Sequence, residues 1–167
     1  LTQELIKLAK LHKKPVLVDP KGLDYSKYSG ATLITPNRLE AETATKSPAG
    51  TAPEVLAQRV KEQLELDYVM VTLGEDGILL YDNGETKQIS AVTSEVYDVT
   101  GAGDSLISGI SLAFLAAYGD IETSMELGNY AAGVAVRKIG TTAVTPKELK
   151  HIIELHIMEN EEAAINN

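Results

Sequence analysis

The sequence contains no cysteine and no tryptophan, and it has a single phenylalanine. Without cysteine the chain forms neither disulfide bonds nor thiolate metal sites, which excludes disulfide-stapled secreted domains and cysteine-ligated zinc folds. The three histidines, His12, His151 and His156, are scattered along the chain. His151 and His156 are five residues apart in a predicted helix and share no face well, so we expect surface positions rather than metal ligation.

Basic residues are also scarce, because 15 lysines and arginines stand against 24 acidic residues and give a formal net charge of −9. A charge of this sign repels phosphate backbones and anionic membrane surfaces. No apolar run approaches the ~20 residues of a membrane span, and the amphipathic LTQELIKLAK lacks the pattern of a signal peptide. We therefore expect a cytoplasmic protein that binds neither nucleic acid nor membranes.

The length of 167 residues suits one domain, and the 44% of hydrophobic residues is enough for a sizeable core. The first residue is leucine rather than methionine. We therefore expect the chain to be part of a longer protein.

Helix and strand patterns alternate along the first half of the chain. Helical periodicity at Leu5, Leu8, Ala9 and Leu11 predicts a first helix, and further helices are predicted after residue 37 and from Pro53. Short apolar runs predict strands at 15–19, 31–35 and 68–72, and Asn83-Gly84 predicts a hairpin after them. The pattern is typical of an α/β fold with a mainly parallel sheet, helices on both faces and an added antiparallel hairpin.

The second half of the chain has helical patterns only. Helices are predicted at 104–118, 121–139 and 146–158, and we expect residues 159–167 to fray. In a parallel sheet, ligands bind beyond the carboxyl ends of the strands. The segments found there are Pro20-Lys21-Gly22, Pro36-Asn37 and Leu73-Gly74, so the sequence predicts a polar, glycine-rich site at this edge.

The stretch DVTGAGD, residues 98–104, carries the strongest chemical pattern. Gly101-Ala102-Gly103 has little side-chain bulk, so its backbone can approach a ligand, and the apolar run after it predicts a helix. Free amides at a helix N-terminus bind anions, phosphate above all. Asp104 would repel an anion, unless it accepts the proton of an attacking hydroxyl while the amides hold a transferred phosphoryl group. The simpler alternative is a glycine-rich turn in which an aspartate caps the helix.

Three segments in order resemble the PfkB (ribokinase-like) family of carbohydrate kinases. DVTGAGDSLISGI is similar to the C-terminal signature of that family over all its positions, including Ser108-Gly109. TPNRLEAE resembles its N-x-x-E element, and VTLGEDG resembles its nucleotide-phosphate segment. The resemblance covers residues 1 to about 155 and implies a ribokinase-like fold.

The resemblance implies roles for particular residues. Asp104 is the expected catalytic base, and Gly101, Ala102 and Gly103 form the expected anion hole. Asn37 and Glu40 are expected to organise Mg²⁺ through water, and Asp98 and Thr100 offer carbonyl groups to a monovalent cation such as K⁺. The expected residues for binding ATP are Asn37, Arg38, Leu39, Glu40, Thr72, Gly74, Gly77 and Asn129.

Each assignment has a structural alternative. Asn37 would simply cap a helix, residues 74–77 would be an ordinary turn, and Asn129 would be an incidental helix residue. Lys21 either reaches a bound phosphate or is a solvated turn residue. Asp98 and Thr100 serve equally well in a plain turn after a strand.

Within the family, DPKG and VYDVTGAGD are most similar to the kinases that phosphorylate heptose 7-phosphate at its anomeric carbon. This resemblance implies that residues 1–158 are the nucleotide-binding, C-terminal half of such a kinase. Its partners would be ATP and a sugar phosphate, and the parent protein would form a homodimer. Another sugar or sugar-phosphate kinase, of the fructose-phosphate or ribose type, and a non-catalytic nucleotide-binding fragment remain alternatives.

Overall fold

The computed structural model describes residues 1–92 and 96–165. The chain divides into two compact units, Leu1–Ser90 and Ala91–Asn167. Among the helices of the described residues, none combines the length and the apolar character that crossing a membrane requires.

The first unit contains one five-stranded sheet. Its strands lie in the order of the chain: β1 (Leu17–Val18), β2 (Leu33–Ile34), β3 (Tyr68–Thr72), β4 (Ile78–Asp82) and β5 (Glu85–Ile89). The pairs β1–β2 and β2–β3 are parallel, whereas β3–β4 and β4–β5 are antiparallel. The predicted α/β fold and hairpin are therefore confirmed. The sheet is mixed rather than mainly parallel, and its first two strands are shorter than the apolar runs that predict them.

Three helices accompany this sheet: α1 (Thr2–Leu11), α2 (Arg38–Thr45) and α3 (Pro53–Leu64). Pro53 occupies the first turn of α3, where its fixed φ suits a helix and its missing N–H leaves no bond unmade. The apolar side of α3 packs into the core with the middle of β3. Members of this core include Ile34, Leu56, Val60, Val69, Val71 and Leu79.

The apolar face that predicts α1 is not the face that the first unit buries. Leu5, Leu8 and Leu11 are 57%, 53% and 77% exposed, whereas Ile6 is only 3% exposed. The side-chain amide of Gln3 donates hydrogen bonds to three carbonyl groups in the turn 26–29, at 3.0–3.3 Å. These bonds and the burial of Ile6 fix the rotation of α1, so its leucine face points away from the core of this unit.

The second unit is built on three helices, α4 (Ala102–Ala116), α5 (Ile121–Val136) and α6 (Pro146–Ile165). Helix α5 begins at Asp120, whose carboxylate accepts hydrogen bonds from the amides of Glu122 and Thr123. Helix α6 runs to Ile165, so residues 159–165, which we expected to fray, are helical. This extension is rich in glutamate and alanine, which are good helix formers.

A reciprocal capping box starts α6. The carboxylate of Glu148 accepts hydrogen bonds from the amide and hydroxyl of Thr145, and it pairs with the Lys138 ammonium group at 2.7 Å. The hydrogen bonds from Lys138 and Thr145 lower the pKa of Glu148 to about 2. The segment between α5 and α6 is thus tied to the first turn of α6.

Helices α4 and α5 cross where both carry glycine. A Cβ atom at Gly109 would lie 3.0 Å from the Cα of Gly128, and one at Gly128 would lie 2.5 Å from Cγ1 of Ile110. The same added carbon at Gly128 would be 3.0 Å from the carbonyl oxygen of Leu106. The two backbones are therefore too close for any side chain at the crossing, which gives Gly109 a packing role.

We predict that Gly128→Ala destabilises the protein by about 1–3 kcal/mol, because the added methyl group overpacks the crossing. Thermal or urea unfolding followed by circular dichroism measures this loss. Gly103→Ala is the matched control, since no atom lies within 4 Å of the Cβ that it adds. Equal stability of the two variants would contradict the close approach of α4 and α5.

Candidate functional site

The first unit brings the carboxyl ends of β1, β2 and β3 to one edge of the sheet. The Thr35 amide donates to the carbonyl oxygen of Val18 at 3.0 Å, which continues the β1–β2 ladder by one residue. The Thr72 amide donates to the carbonyl oxygen of Pro36 at 3.0 Å, and Asn37 forms a parallel bridge with Thr72. Two predicted nucleotide-binding residues, Asn37 and Thr72, are therefore neighbours.

Asn37 and Glu40 form a capping box at the start of α2. The Asn37 side-chain oxygen accepts from the Glu40 amide, and Oε2 of Glu40 accepts from the Asn37 amide, both at 2.8 Å. The N-x-x-E element thus caps a helix, as its structural alternative predicts. Oε1 of Glu40 makes no hydrogen bond to any residue that the structure describes, so a ligand role for this carboxylate is compatible with capping. Arg38 and Leu39 are exposed on the first turn of the helix.

Asp19, which the sequence reasoning did not single out, lies at the same edge. It directly follows β1, and its Oδ2 lies 2.9 Å from the ammonium nitrogen of Lys21. The acidic residue at the end of the apolar run VLVD was the signal for it. Lys21 therefore has an ion-pair partner, and the solvated-turn alternative describes it incompletely.

The buried Tyr25 side chain is influenced by the carboxylates of Asp19 and Glu40. Tyr25 is 5% exposed and belongs to the core, and its hydroxyl has no hydrogen-bond partner within the described residues. Burial raises the pKa of Tyr25, and the charges of Glu40 and Asp19 raise it further, with Tyr28 contributing as well. Both carboxylates are thus within electrostatic reach of one hydroxyl group.

The chemistry of these two carboxylates suits a magnesium ion. Mg²⁺ prefers oxygen ligands and usually retains several waters, so one or two carboxylates are enough to hold it. The described residues contain no group of three or more acidic or histidine side chains that would enclose a metal ion directly. Asp19 and Glu40 therefore fit a hydrated Mg²⁺ better than an ion that the protein fully encloses.

Gly74 and Gly77 shape the turn after β3. Their φ angles are 64° and 88°, in the left-handed region that favours glycine. The Leu73 amide donates to the Gly77 carbonyl oxygen at 2.8 Å, which closes the turn across the short 3₁₀ segment Gly74–Asp76. No atom lies within 4 Å of a Cβ built on Gly74. The turn is compact, and its Gly74 side is open to an approaching group.

In the second unit, Gly101 adopts a left-handed conformation, with φ of 79°, and caps the N-terminus of α4. The Ala102 amide donates to the carbonyl oxygen of Val99 at 3.1 Å and is therefore already used by the turn. The amides of Gly103 and Asp104 make no hydrogen bond to any residue within the described ranges. Gly103 and Asp104 therefore supply free donors in the first turn of α4. Of the expected anion hole, Gly101, Ala102 and Gly103, only Ala102 has an amide that is bonded to a described residue.

The Asp104 side chain is exposed in the first turn of α4, near these two amides. The backbone carbonyl oxygen of Asp104 accepts a hydrogen bond from the Ser108 hydroxyl, one helical turn further on, at 2.7 Å. A carboxylate at this position interacts favourably with the positive end of the helix dipole. The geometry thus combines an exposed carboxylate with unsatisfied amide donors, which suits proton acceptance next to a bound anion.

Asp98 ties this segment to the end of α5. Its carboxylate accepts from the Thr100 amide at 2.9 Å and from the Gly140 amide at 2.8 Å. The hydrogen bonds from Thr100 and then from Gly140 hold the pKa of Asp98 below its usual value. The Tyr97 and Asp98 amides both donate to the carbonyl oxygen of Val136. Asp98 is therefore a structural clamp through its side chain, and a cation role would have to use carbonyl groups.

Asn129 is buried on α5, next to Gly128 at the helix crossing. A buried amide side chain at such a position is uncommon unless it is hydrogen-bonded, and Asn129 does interact with other groups. The predicted role of Asn129 beside adenine stays a prediction.

Comparison with curated proteins identifies close relatives of the whole chain. The bifunctional protein HldE from Helicobacter hepaticus is 44% identical over 155 residues, which cover 92% of this chain and 32% of that protein. The bifunctional protein HldE from Campylobacter jejuni subsp. jejuni serotype O:6 is 50% identical over 149 residues, which cover 87% and 32%. The chain thus spans about a third of the length of these relatives.

Solved structures of similar fold include two proteins that are named as kinases. Phosphofructokinase-2 from Escherichia coli, in complex with potassium, superposes with a TM-score of 0.79 at 24% identity, over 93% of this chain and 52% of that one. Ribokinase from Thermotoga maritima superposes with a TM-score of 0.77 at 25% identity, over 90% and 52%. The ribokinase-like fold that the sequence implies is confirmed by these matches.

A family model described as pfkB family carbohydrate kinase matches residues 1–148, which is most of the 167-residue chain. Together with the relatives and the fold, this match shows that the chain belongs to the PfkB family of carbohydrate kinases.

Proposed function

We propose that this chain is the nucleotide-binding half of a kinase that transfers the γ-phosphoryl group of ATP to the anomeric hydroxyl of heptose 7-phosphate. The product would be heptose 1,7-bisphosphate, a precursor for ADP-heptose and the lipopolysaccharide core. The observation that carries the proposal is the conjunction of Asp104 with the free amides of Gly103 and Asp104 at the start of α4. The choice of heptose rests on the similarity of DPKG and VYDVTGAGD to heptose kinases and on the identity to HldE proteins.

Asp104 acts as the general base in this proposal. Phosphoryl transfer needs an acceptor that takes the hydroxyl proton and donors that stabilise the charge on the transferred group. The carboxylate of Asp104 accepts the proton, while the amides of Gly103 and Asp104 donate to the phosphoryl oxygens. Gly101 and Ala102 contribute by shaping the turn that leaves these amides free.

The proposed nucleotide-binding residues of the first unit are Asn37, Arg38, Leu39, Glu40, Thr72, Gly74 and Gly77. In the second unit, Asn129 is the proposed contact to adenine. Glu40, Asn37 and Asp19 would hold a hydrated Mg²⁺, which would neutralise charge on the phosphates. Carbonyl groups of Asp98 and Thr100 would hold a monovalent cation such as K⁺.

Two alternatives lead to different experimental results. Another sugar or sugar-phosphate kinase of the family would prefer fructose 6-phosphate or ribose in a substrate screen of the longer protein. A non-catalytic nucleotide-binding fragment would bind Mg²⁺–ATP in calorimetry without supporting turnover even when the rest of the fold is supplied. We further propose that the longer protein is cytoplasmic and that it forms a homodimer. Light scattering of the longer protein tests the oligomeric state.

The first prediction concerns the base. In the longer enzyme, Asp104→Asn should lower kcat by ~10² or more, because general-base catalysis contributes ~10²–10⁴. The affinity for nucleotide should stay nearly unchanged, because the amide donors remain. Steady-state kinetics and calorimetry with ADP measure the two quantities. A kcat near that of the unsubstituted enzyme would remove Asp104 from the base position.

The second prediction concerns the metal. Glu40→Gln keeps an oxygen that accepts from the Asn37 amide, so the helix cap survives, but it removes the negative charge. We expect the Mg²⁺ concentration for half-maximal activity to rise severalfold, because a neutral amide is a weaker partner for a hydrated cation. Metal titrations measure this shift, and a melting curve checks the cap. Coincident titration curves for the two proteins would exclude Glu40 from the metal site.

The third prediction concerns this chain by itself. Orientation of two substrates can supply ~7–11 kcal/mol of a barrier, and the chain covers only about half of the solved kinases that it resembles. We therefore expect no measurable sugar-dependent release of ADP from the 167-residue chain. Turnover should return when the N-terminal half of a heptose kinase is added, and robust turnover of the chain alone would show that this division of the site is wrong.

A further inference from the structure

The hydroxyl group of Tyr28 holds both peptide groups of one residue. It accepts a hydrogen bond from the Lys21 amide at 3.1 Å and donates one to the Lys21 carbonyl oxygen at 3.3 Å. Tyr28 lies in the short 3₁₀ segment Ser26–Tyr28, seven residues after Lys21. A side chain that bonds to both the N–H and the C=O of a single residue restricts rotation about the φ and ψ bonds of that residue, which an isolated hydrogen bond does not.

Lys27 reinforces the same contact. Its ammonium group donates to the Lys21 carbonyl oxygen at 2.9 Å and lies 4.9 Å from the centre of the Tyr28 ring. The cation–π contact orients the ring, and the charged donor adds to the bond that Tyr28 makes. Three hydrogen bonds from two side chains thus restrict the backbone of Lys21.

The result is a fixed backbone from which the Lys21 side chain extends. Its ammonium nitrogen lies 2.9 Å from Oδ2 of Asp19, and Lys21 is 72% exposed whereas Asp19 is 19% exposed. The pair follows β1 directly, and the parallel register places it level with the segment after β2, which contains Asn37. The ammonium group is therefore accessible and lies at the edge of the sheet where a phosphate-bearing ligand is expected.

A simple surface ion pair would not need such a support. Exposed pairs contribute little stability, because both long side chains lose conformational freedom when they meet. Here hydrogen bonds from Tyr28 and Lys27 already restrict the Lys21 backbone, before its side chain binds any ligand. Such preorganisation lowers the entropic cost when a lysine binds a ligand.

We propose that Tyr28 is a positioning residue, which locks the Lys21 backbone so that the Lys21 ammonium group binds a phosphate group of a substrate. This inference rests on the proposed kinase function. The phosphate belongs either to the nucleotide or to the sugar phosphate, since a lysine recognises both by the same chemistry. Tyr28 itself does not touch the substrate.

Two neighbouring tyrosines provide a matched experiment. Tyr28→Phe removes the oxygen that holds Lys21, whereas Tyr25→Phe removes an oxygen that has no hydrogen-bond partner among the described residues. Lys21→Met removes the ammonium group and keeps the length of the side chain. These three variants and the double variant Tyr28→Phe/Lys21→Met are titrated by calorimetry with Mg²⁺–ADP and, separately, with heptose 7-phosphate.

We expect Lys21→Met to weaken the binding of one ligand about tenfold, the effect of losing one charged contact to phosphate. Tyr28→Phe should weaken the same ligand about fivefold, and Tyr25→Phe should leave its affinity unchanged. The ligand that responds identifies the source of the phosphate. In the Lys21→Met background, Tyr28→Phe should have no further effect on affinity, although it still lowers the melting temperature.

Three results would overturn the inference, and they differ in what they leave standing. A further loss of affinity from Tyr28→Phe in the Lys21→Met background would show that Tyr28 acts without Lys21. Unchanged affinities in Tyr28→Phe, with normal ligand binding, would reject the positioning role and leave the proposed function intact. Failure of the unsubstituted, folded chain to bind either ligand would reject both. Melting curves recorded by circular dichroism establish that each variant is folded at the titration temperature.

Discussion

The close crossing of α4 and α5 is the constraint on which the second unit depends. Gly109 and Gly128 let the two backbones approach so closely that a methyl group at either position meets atoms of the other helix. Helix α4 begins at the glycine-rich turn and carries Asp104. At and after the end of α5, Val136 and Gly140 form hydrogen bonds with residues 97–98, the segment that precedes this turn. The crossing and the Asp98 clamp thus fix both sides of the same turn. Packing about two helical turns away thus helps to position the first turn of α4, whose amides are free because a helix N-terminus leaves them without intrahelical partners.

Much of this architecture could be predicted from the sequence because it follows from local rules. The hairpin at Asn83-Gly84, the start of α3 at Pro53 and the strand Tyr68–Thr72 each have a signal within a few residues. The capping box at Asn37 and Glu40 is also local, and the sequence offered it as the alternative to a ligand site. Family resemblance in three ordered segments supplied the rest of the site, and the family match supports that resemblance.

The features that sequence reasoning missed depend on contacts between distant residues. The rotation of α1 depends on hydrogen bonds from Gln3 to a turn more than 20 residues away, so the periodicity that predicts the helix does not show which face this unit buries. The role of Asp19 appears only when the parallel register brings the end of β1 beside the end of β2. The predicted α6 ends at residue 158, because a polar, charged terminus is usually expected to fray. Its residues nevertheless favour helix, and α6 extends to Ile165. A pattern in the sequence shows which residues are apolar or charged, but tertiary contacts decide which way they face.

The leucine face of α1 also affects how the chain behaves in solution. Leu5, Leu8 and Leu11 form an exposed apolar stripe on one side of a ten-residue helix. Molecular chaperones that retain unfinished proteins recognise apolar surface of this kind, and salts such as sulfate strengthen its self-association by raising the cost of hydrating it. The net charge of −9 opposes that association through repulsion between molecules, and this repulsion is screened as ionic strength increases. The leucine face of α1 and the overall charge therefore have opposite effects on self-association, and added salt favours the association of the apolar face.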